Sequence, residues 1–133
     1  MFQGLEHTAI ASPDPKGLAE WYVQKLDFRI NYTYGGNYFV RASNSTLLEI
    51  IPSEGDRAPQ QMKDPGIRHL AIAVDNFDSA MQELRKRGIT VPEPTSVGSG
   101  APHTSISDPN GVRLEMLEFA PGSMQRSAIE AYK

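Results

Sequence analysis

The chain has 133 residues, with 13 Lys and Arg against 16 Asp and Glu for a formal net charge of −3, a size suited to one compact domain or two very small ones. Its mildly acidic balance, without a Lys/Arg-rich run, argues against a nucleic-acid partner and against an anionic membrane surface. The absence of cysteine excludes disulfides, a thiolate nucleophile, a cysteine zinc site and a cysteine-held iron–sulfur cluster, so a metal would have to use His and carboxylates.

In chain order, Leu5 to Ser12 alternates around β-formers and predicts a strand, and the following SPDPKG is a cap-and-proline signal for a helix start. Leu18, Trp21, Tyr22 and Leu26 then fall on helical spacing and form one apolar stripe. Phe28 to Tyr34 and Tyr38 to Arg41 read as strands joined at Gly35-Gly36, a hairpin signal, and Thr46 to Ile51 as a third strand. Pro52 to Gly66 is rich in Pro, Gly and charge without periodicity and reads as a linker. Ile67 to Val74 predicts a strand, and Asn76 to Arg87 a helix with Phe77, Ala80, Met81 and Leu84 on one side, stopped by Gly88. Strands are expected near Ile89 to Val91, Thr104 to Ser107 and Val112 to Glu118. Pro121 to Lys133 is a tail with weak helical character.

Strand, helix and three strands thus occur twice, and the residues repeat with them. HTAIA at 7–11 matches HLAIA at 69–73, and NSTLLEII at 44–51 matches NGVRLEML at 110–117 with Asn, Leu and Glu in register. Each copy opens on a His and closes on a Glu. The organisation read from this is a module at 4–52, a linker at 53–66, a module at 67–120 and a tail at 121–133.

A carboxylate inside an apolar strand is expensive unless it is paired or coordinates a cation. By alternation Glu49 shares a face with Leu47 and Ile51, and Glu115 with Arg113 and Leu117. Taken singly, each Glu reads as an edge-strand carboxylate facing water, and each His as a hydrogen-bonded structural residue. Jointly, His7, Glu49, His69 and Glu115 stand at matching positions of two copies in a chain with three His. Two curved sheets related by a pseudo-twofold would bring all four to one place, where imidazole nitrogen and carboxylate oxygen suit a divalent ion such as Zn, Ni, Co, Mn or Fe. His103 precedes a strand and reads either as an exposed loop residue, which its position favours, or as one that lines the pocket. Asp108 with Pro109 and Gly111 needs only turn chemistry, Gly98 to His103 is a flexible connection beside the cavity, and Trp21 with Tyr22 belongs to the core.

The paired βαβββ modules with these four residues resemble the vicinal oxygen chelate (glyoxalase/bleomycin resistance/dioxygenase) superfamily, and the ligand pattern is similar to that of bacterial glyoxalase I. The stretches that carry the resemblance are EHTAIASPD, AEWYVQKLDF, RHLAIAV and SDPNGVRLEMLE. It implies an α+β fold in which the modules form a cupped, barrel-like mixed sheet, one divalent ion held by His7, Glu49, His69 and Glu115, and Glu115 and Glu49 as bases in proton transfer. The short segment DRAPQQMKDPGIR stands where glyoxalase I relatives carry a longer glycine-bearing stretch before the second His, and Leu26-Asp27-Phe28 where Leu-Gly-Phe is usual.

The function expected is a metal-dependent lyase or isomerase of the lactoylglutathione lyase type, acting on a small substrate chelated through vicinal oxygens by way of an enediolate. The alternatives are an acyl-CoA epimerase of the same superfamily and a protein that sequesters a small molecule such as an antibiotic. Ring-cleaving dioxygenation fits less well, because a fourth protein ligand would take a position needed by dioxygen and a bidentate catechol. A homodimer is expected, since modules of this size bury little surface alone. The start MFQGLEHTAIASPD lacks the basic and apolar regions of a signal peptide, and the expected location is cytoplasmic.

Overall fold

Asp14 begins the first helix: its carboxylate accepts the Gly17 N–H at 3.0 Å, and Pro15 supplies the fixed φ of a first helical residue. The computed structural model, which describes residues 1–58, 60–96 and 102–132, runs this helix as α1 (Pro15–Leu26) after strand β1 (His7–Ser12). Asp27 closes α1 in the left-handed region at φ 60°, where a glycine would be free of strain. Strands β2 (Arg29–Tyr34) and β3 (Asn37–Arg41) follow, joined by Gly35 and Gly36 at φ 58° and 85°, the positive pair that a two-residue hairpin loop demands. Strand β4 (Leu47–Pro52) completes a sheet of order β1-β4-β3-β2, in which β1 runs parallel to β4 and the other pairs are antiparallel. One face carries Ile10, Val40, Leu48 and Ile50, which are buried together with Leu18, Ala19 and Tyr22 of α1. Tyr22 is fully buried and meets Trp21 and Phe28 edge-on.

The second unit repeats the plan. Strand β5 (Leu70–Val74) leads into α2 (Phe77–Lys86), capped by Asn76, whose side chain accepts the Ser79 N–H at 2.9 Å. Gly88 at φ 83° ends α2, with Ile89 N–H returning to the Leu84 carbonyl. Strands β6 (Thr95–Ser96), β7 (Pro102–Ser107) and β8 (Arg113–Glu118) give the order β5-β8-β7-β6, again with the first strand parallel to the last. Leu114, Met116 and Ile106 are buried on one face of this sheet, as are Phe77, Met81 and Leu84 on α2. Asp108 is buried and accepts N–H bonds from Asn110 and Val112, the turn expected of SDPNGV. Helix α3 (Met124–Tyr132) ends the description with no buried residue.

Two expectations change here. Ile89 to Val91 forms no strand, and the pairing moves to the two residues of β6, because Pro92 and Pro94 each lack the N–H that a ladder needs. His103 does not precede a strand but lies within β7, opposite Thr95. The connection expected at Gly98 to His103 falls outside the described residues up to 101. The chain divides into units Met1–Gln60 and Gln61–Lys133, a boundary inside the segment read as a linker. Among the described residues no helix is long and apolar enough to cross a membrane.

Candidate active site

Parallel pairing of first and last strands places a His beside a Glu in each unit. In the first, the register sets His7 against Leu47 and Ala9 against Glu49, so His7 and Glu49 share the face turned away from α1. The His7 Nε2 lies 3.8 Å from Glu49 Oε1. In the second, Ala71 is opposite Glu115, and His69 Nε2 lies 3.6 Å from Glu115 Oε2. Neither Glu is at an edge, since β4 and β8 each lie between two neighbouring strands. Their side chains are 17% and 16% exposed, which corrects the reading of a carboxylate in open water.

The spacing within each pair is informative. It exceeds a hydrogen bond, yet two donors bound to one ion at about 2.0–2.2 Å can stand no more than about 4.2 Å apart, and both pairs meet that limit. Each pair thus lies within the span that two donors to one ion can take. Among the described residues no group of three or more His, Cys, Asp or Glu is gathered as a metal site, so the pairs are what the structure shows of the expected set.

His7 has a further partner: its Nδ1 is hydrogen-bonded to the Glu6 carboxylate, the arrangement that orients an imidazole and raises its basicity for a metal on the other nitrogen. That bond, with the charges of Glu6 and Glu49, raises the His7 pKa above its ordinary 6.5, against a smaller opposing effect of desolvation.

The floor around each Glu differs between the units. Beside Glu49 stands Phe39, buried and stacked on Tyr32 with ring centroids 4.2 Å apart. Beside Glu115 stands Ser105. Leu47 of the first repeat corresponds to Arg113 of the second. The second unit has a cavity of about 450 Å³ lined by residues that include Thr95, His103, Ser105, Ser107 and Arg113. His103 thus lines a cavity, and its Nδ1 lies 3.2 Å from the Thr95 carbonyl. Sequence reasoning did not single out Ser105 or Arg113, although in the aligned repeat these polar residues stand where the first copy has Phe39 and Leu47.

The chain belongs to the glyoxalase/bleomycin resistance protein/dioxygenase superfamily, whose family description matches residues 4–116. It is 33% identical over 129 residues to the uncharacterized protein YwkD of Bacillus subtilis (strain 168), covering 89% of this chain and 98% of that one. It is 28% identical over 126 residues to the mitochondrial methylmalonyl-CoA epimerase of Homo sapiens, covering 84% and 72%. The solved structure of a glyoxalase family protein from Enterococcus faecalis superposes with a TM-score of 0.77 at 26% identity, covering 88% and 98%. The α+β fold expected from the sequence is the glyoxalase-like one.

Proposed function

We propose that the chain is a metal-dependent lyase or isomerase of the glyoxalase type, similar to lactoylglutathione lyase, that moves a proton on a carbon next to a carbonyl. His7, Glu49, His69 and Glu115 are the proposed ligands of one divalent ion, drawn from Zn, Ni, Co, Mn and Fe. The observation that supports this is the recurrence, in both units, of a His Nε2 facing a half-buried Glu at a distance two ligands of one ion can span. When bound, such an ion polarises two adjacent substrate oxygens and acidifies the neighbouring C–H.

The chain's own groups do the rest. The exposed Ala9 and Ala71 beside the two carboxylates leave room for a substrate on that face. Glu115 or Glu49 takes the proton from the α-carbon as the C–H bond breaks, and returns it to the adjacent carbon. Returning it to the opposite face of the same carbon would give an epimerase acting on an acyl-CoA, a second reading favoured by the similarity to methylmalonyl-CoA epimerase. A small-molecule substrate and a homodimer complete the proposal.

The test is protein reloaded with Ni, Co, Zn or Mn and given the hemithioacetal of methylglyoxal, α-hydroxycarbonyl compounds and branched acyl-CoA thioesters in deuterated water. Turnover, or deuterium entering at the α-carbon, is expected with at least one class. Neither with any of them overturns the reading in favour of a sequestering protein.

A further inference from the structure

We propose that the cavity beside Glu115 is a subsite for a carboxylate carried by the substrate, read by Arg113 and Ser105. The inference rests on the reading of Glu115 as a proton-transfer group only in calling the ligand a substrate; the binding site itself stands on three observations within the second unit. First, Arg113 Nε and Ser105 Oγ are buried side-chain atoms without a hydrogen-bond partner among the described residues. A buried donor left unsatisfied is costly, and more so on a charged group. Second, both residues line one cavity of about 450 Å³, enough for a small organic group. Third, register places Ser105 directly against Glu115 and Ser107 directly against Arg113, so all four lie on one face of β7 and β8.

The chemistry of the lining selects the ligand. Arg is a donor without acceptor capacity, and its planar guanidinium matches a carboxylate. Ser105 O–H can donate to the same group. Glu115 faces His69, and the Arg113 Nε–H has no hydrogen-bond partner among the described residues, so that donor is open to a ligand. His103 Nδ1 lies 3.2 Å from both the carbonyl and the hydroxyl of Thr95, so Thr95 holds the ring at that nitrogen. Glu93, which also lines the cavity, is exposed and solvated, so its charge is screened by water. The wall that carries it is fixed by the Thr104 hydroxyl, which donates to the Pro92 carbonyl at 3.0 Å. In the first unit Phe39 and Leu47, both buried, fill the corresponding positions, so the donors of Ser105 and Arg113 have no counterpart there.

The substrate class that follows is a small carbonyl or acyl compound bearing a carboxylate near the carbon that loses its proton. The test follows the Arg113 Nε–H resonance by nitrogen-15 NMR while isobutyrate, isobutyramide or inorganic phosphate is added to the purified full chain. Isobutyrate is expected to shift that resonance saturably, and isobutyramide to leave it in place. Arg113→Met is expected to weaken isobutyrate binding, read on neighbouring amides, by about tenfold or more, the scale of a charge-assisted hydrogen bond. Should that variant fail to fold, Arg113→Lys keeps the charge without the Nε donor, and the wild-type resonance is read without any substitution. An unmoved Arg113 resonance, or an equal response to isobutyramide or to phosphate, overturns the assignment. Turnover by reloaded enzyme with an unresponsive Arg113 would remove the subsite alone; a responsive Arg113 in a protein that turns nothing over would remove the enzymatic reading alone.

Discussion

Glu115 and Glu49 are the residues on which the proposed chemistry turns, and they are alike in two respects: both face an imidazole across a gap of 3.6–3.8 Å and both are mostly covered. A positioned base contributes about 10²–10⁴ in rate, so Glu115→Gln, with metal in excess, is expected to lower turnover by about that factor. Equal rates for the variant and the parent in a steady-state assay would remove Glu115 from that role. Glu6 acts through His7. Because its hydrogen bond is the largest cause of the raised His7 pKa, Glu6→Gln is expected to bring that pKa down toward 6.5, read from an NMR titration of the imidazole ring. The contact favours the fold below pH 6.5, where His7 is protonated folded or unfolded, and the benefit fades as pH rises through the elevated folded value. A metal has the opposite dependence, since it needs the neutral ring, and its binding is expected to strengthen as pH rises through that range. The proximity of each His to its Glu was legible in the sequence because the pair repeats; the unpartnered donors of Arg113 and Ser105 were not, because an Arg or Ser in a strand is unremarkable until burial leaves its donor without a partner.

The elements follow their local signals closely where capping residues set them. The start of α1 depends on Asp14, and Gly17 is part of the device: a Cβ there would lie 2.1 Å from Asp14 Oδ2. Asp14→Ala is expected to lose about 1 kcal/mol of stability, the usual loss for an N-cap. Gly17→Ala displaces the Asp14 carboxylate, and the lost cap offsets the roughly 1 kcal/mol that Ala gains over Gly inside a helix. The two substitutions should therefore be non-additive in chemical denaturation, with Asp14→Ala nearly neutral in a Gly17→Ala background. Full additivity would contradict the cap geometry. The hairpin at Gly35-Gly36 and the stop at Gly88 were equally readable, since each needs a positive φ. The segment after Gly88 was not: Ile89 to Val91 has strand composition, but the prolines beyond it deny the ladder its donors, and the short β6 forms further along.

For the whole molecule, the repeat in the sequence is a repeat in topology, with the same strand order and the same parallel closure in both units. Duplication set the His and Glu positions, and divergence set what surrounds them. If the two pairs serve one ion, metal analysis should find about one divalent ion per chain, and His7→Ala and His69→Ala should each lose it even though the changes lie in different units. Ion binding to the native state alone would add about 4 kcal/mol at a thousandfold excess over Kd, visible as a raised melting temperature in the parent and not in either variant. Retention of the ion after one of these substitutions would assign it to a single unit.

The parallel closure also has a kinetic side. Within its own sheet, β1 pairs with β4 alone and β5 with β8 alone, and each of these pairings joins segments distant in sequence. Such contacts form late, since a long loop must close before any ladder bond rewards it, and a strand held on one side is the first to detach. Each His rides on or next to that outer strand, while its Glu is in the interior of the sheet. Amide hydrogen exchange is therefore expected to be faster along β1 and β5 than along β4 and β8, and every detachment parts a His from its Glu. Each His–Glu pair would then open and close at the pace of single-strand undocking, long before its own unit unfolds.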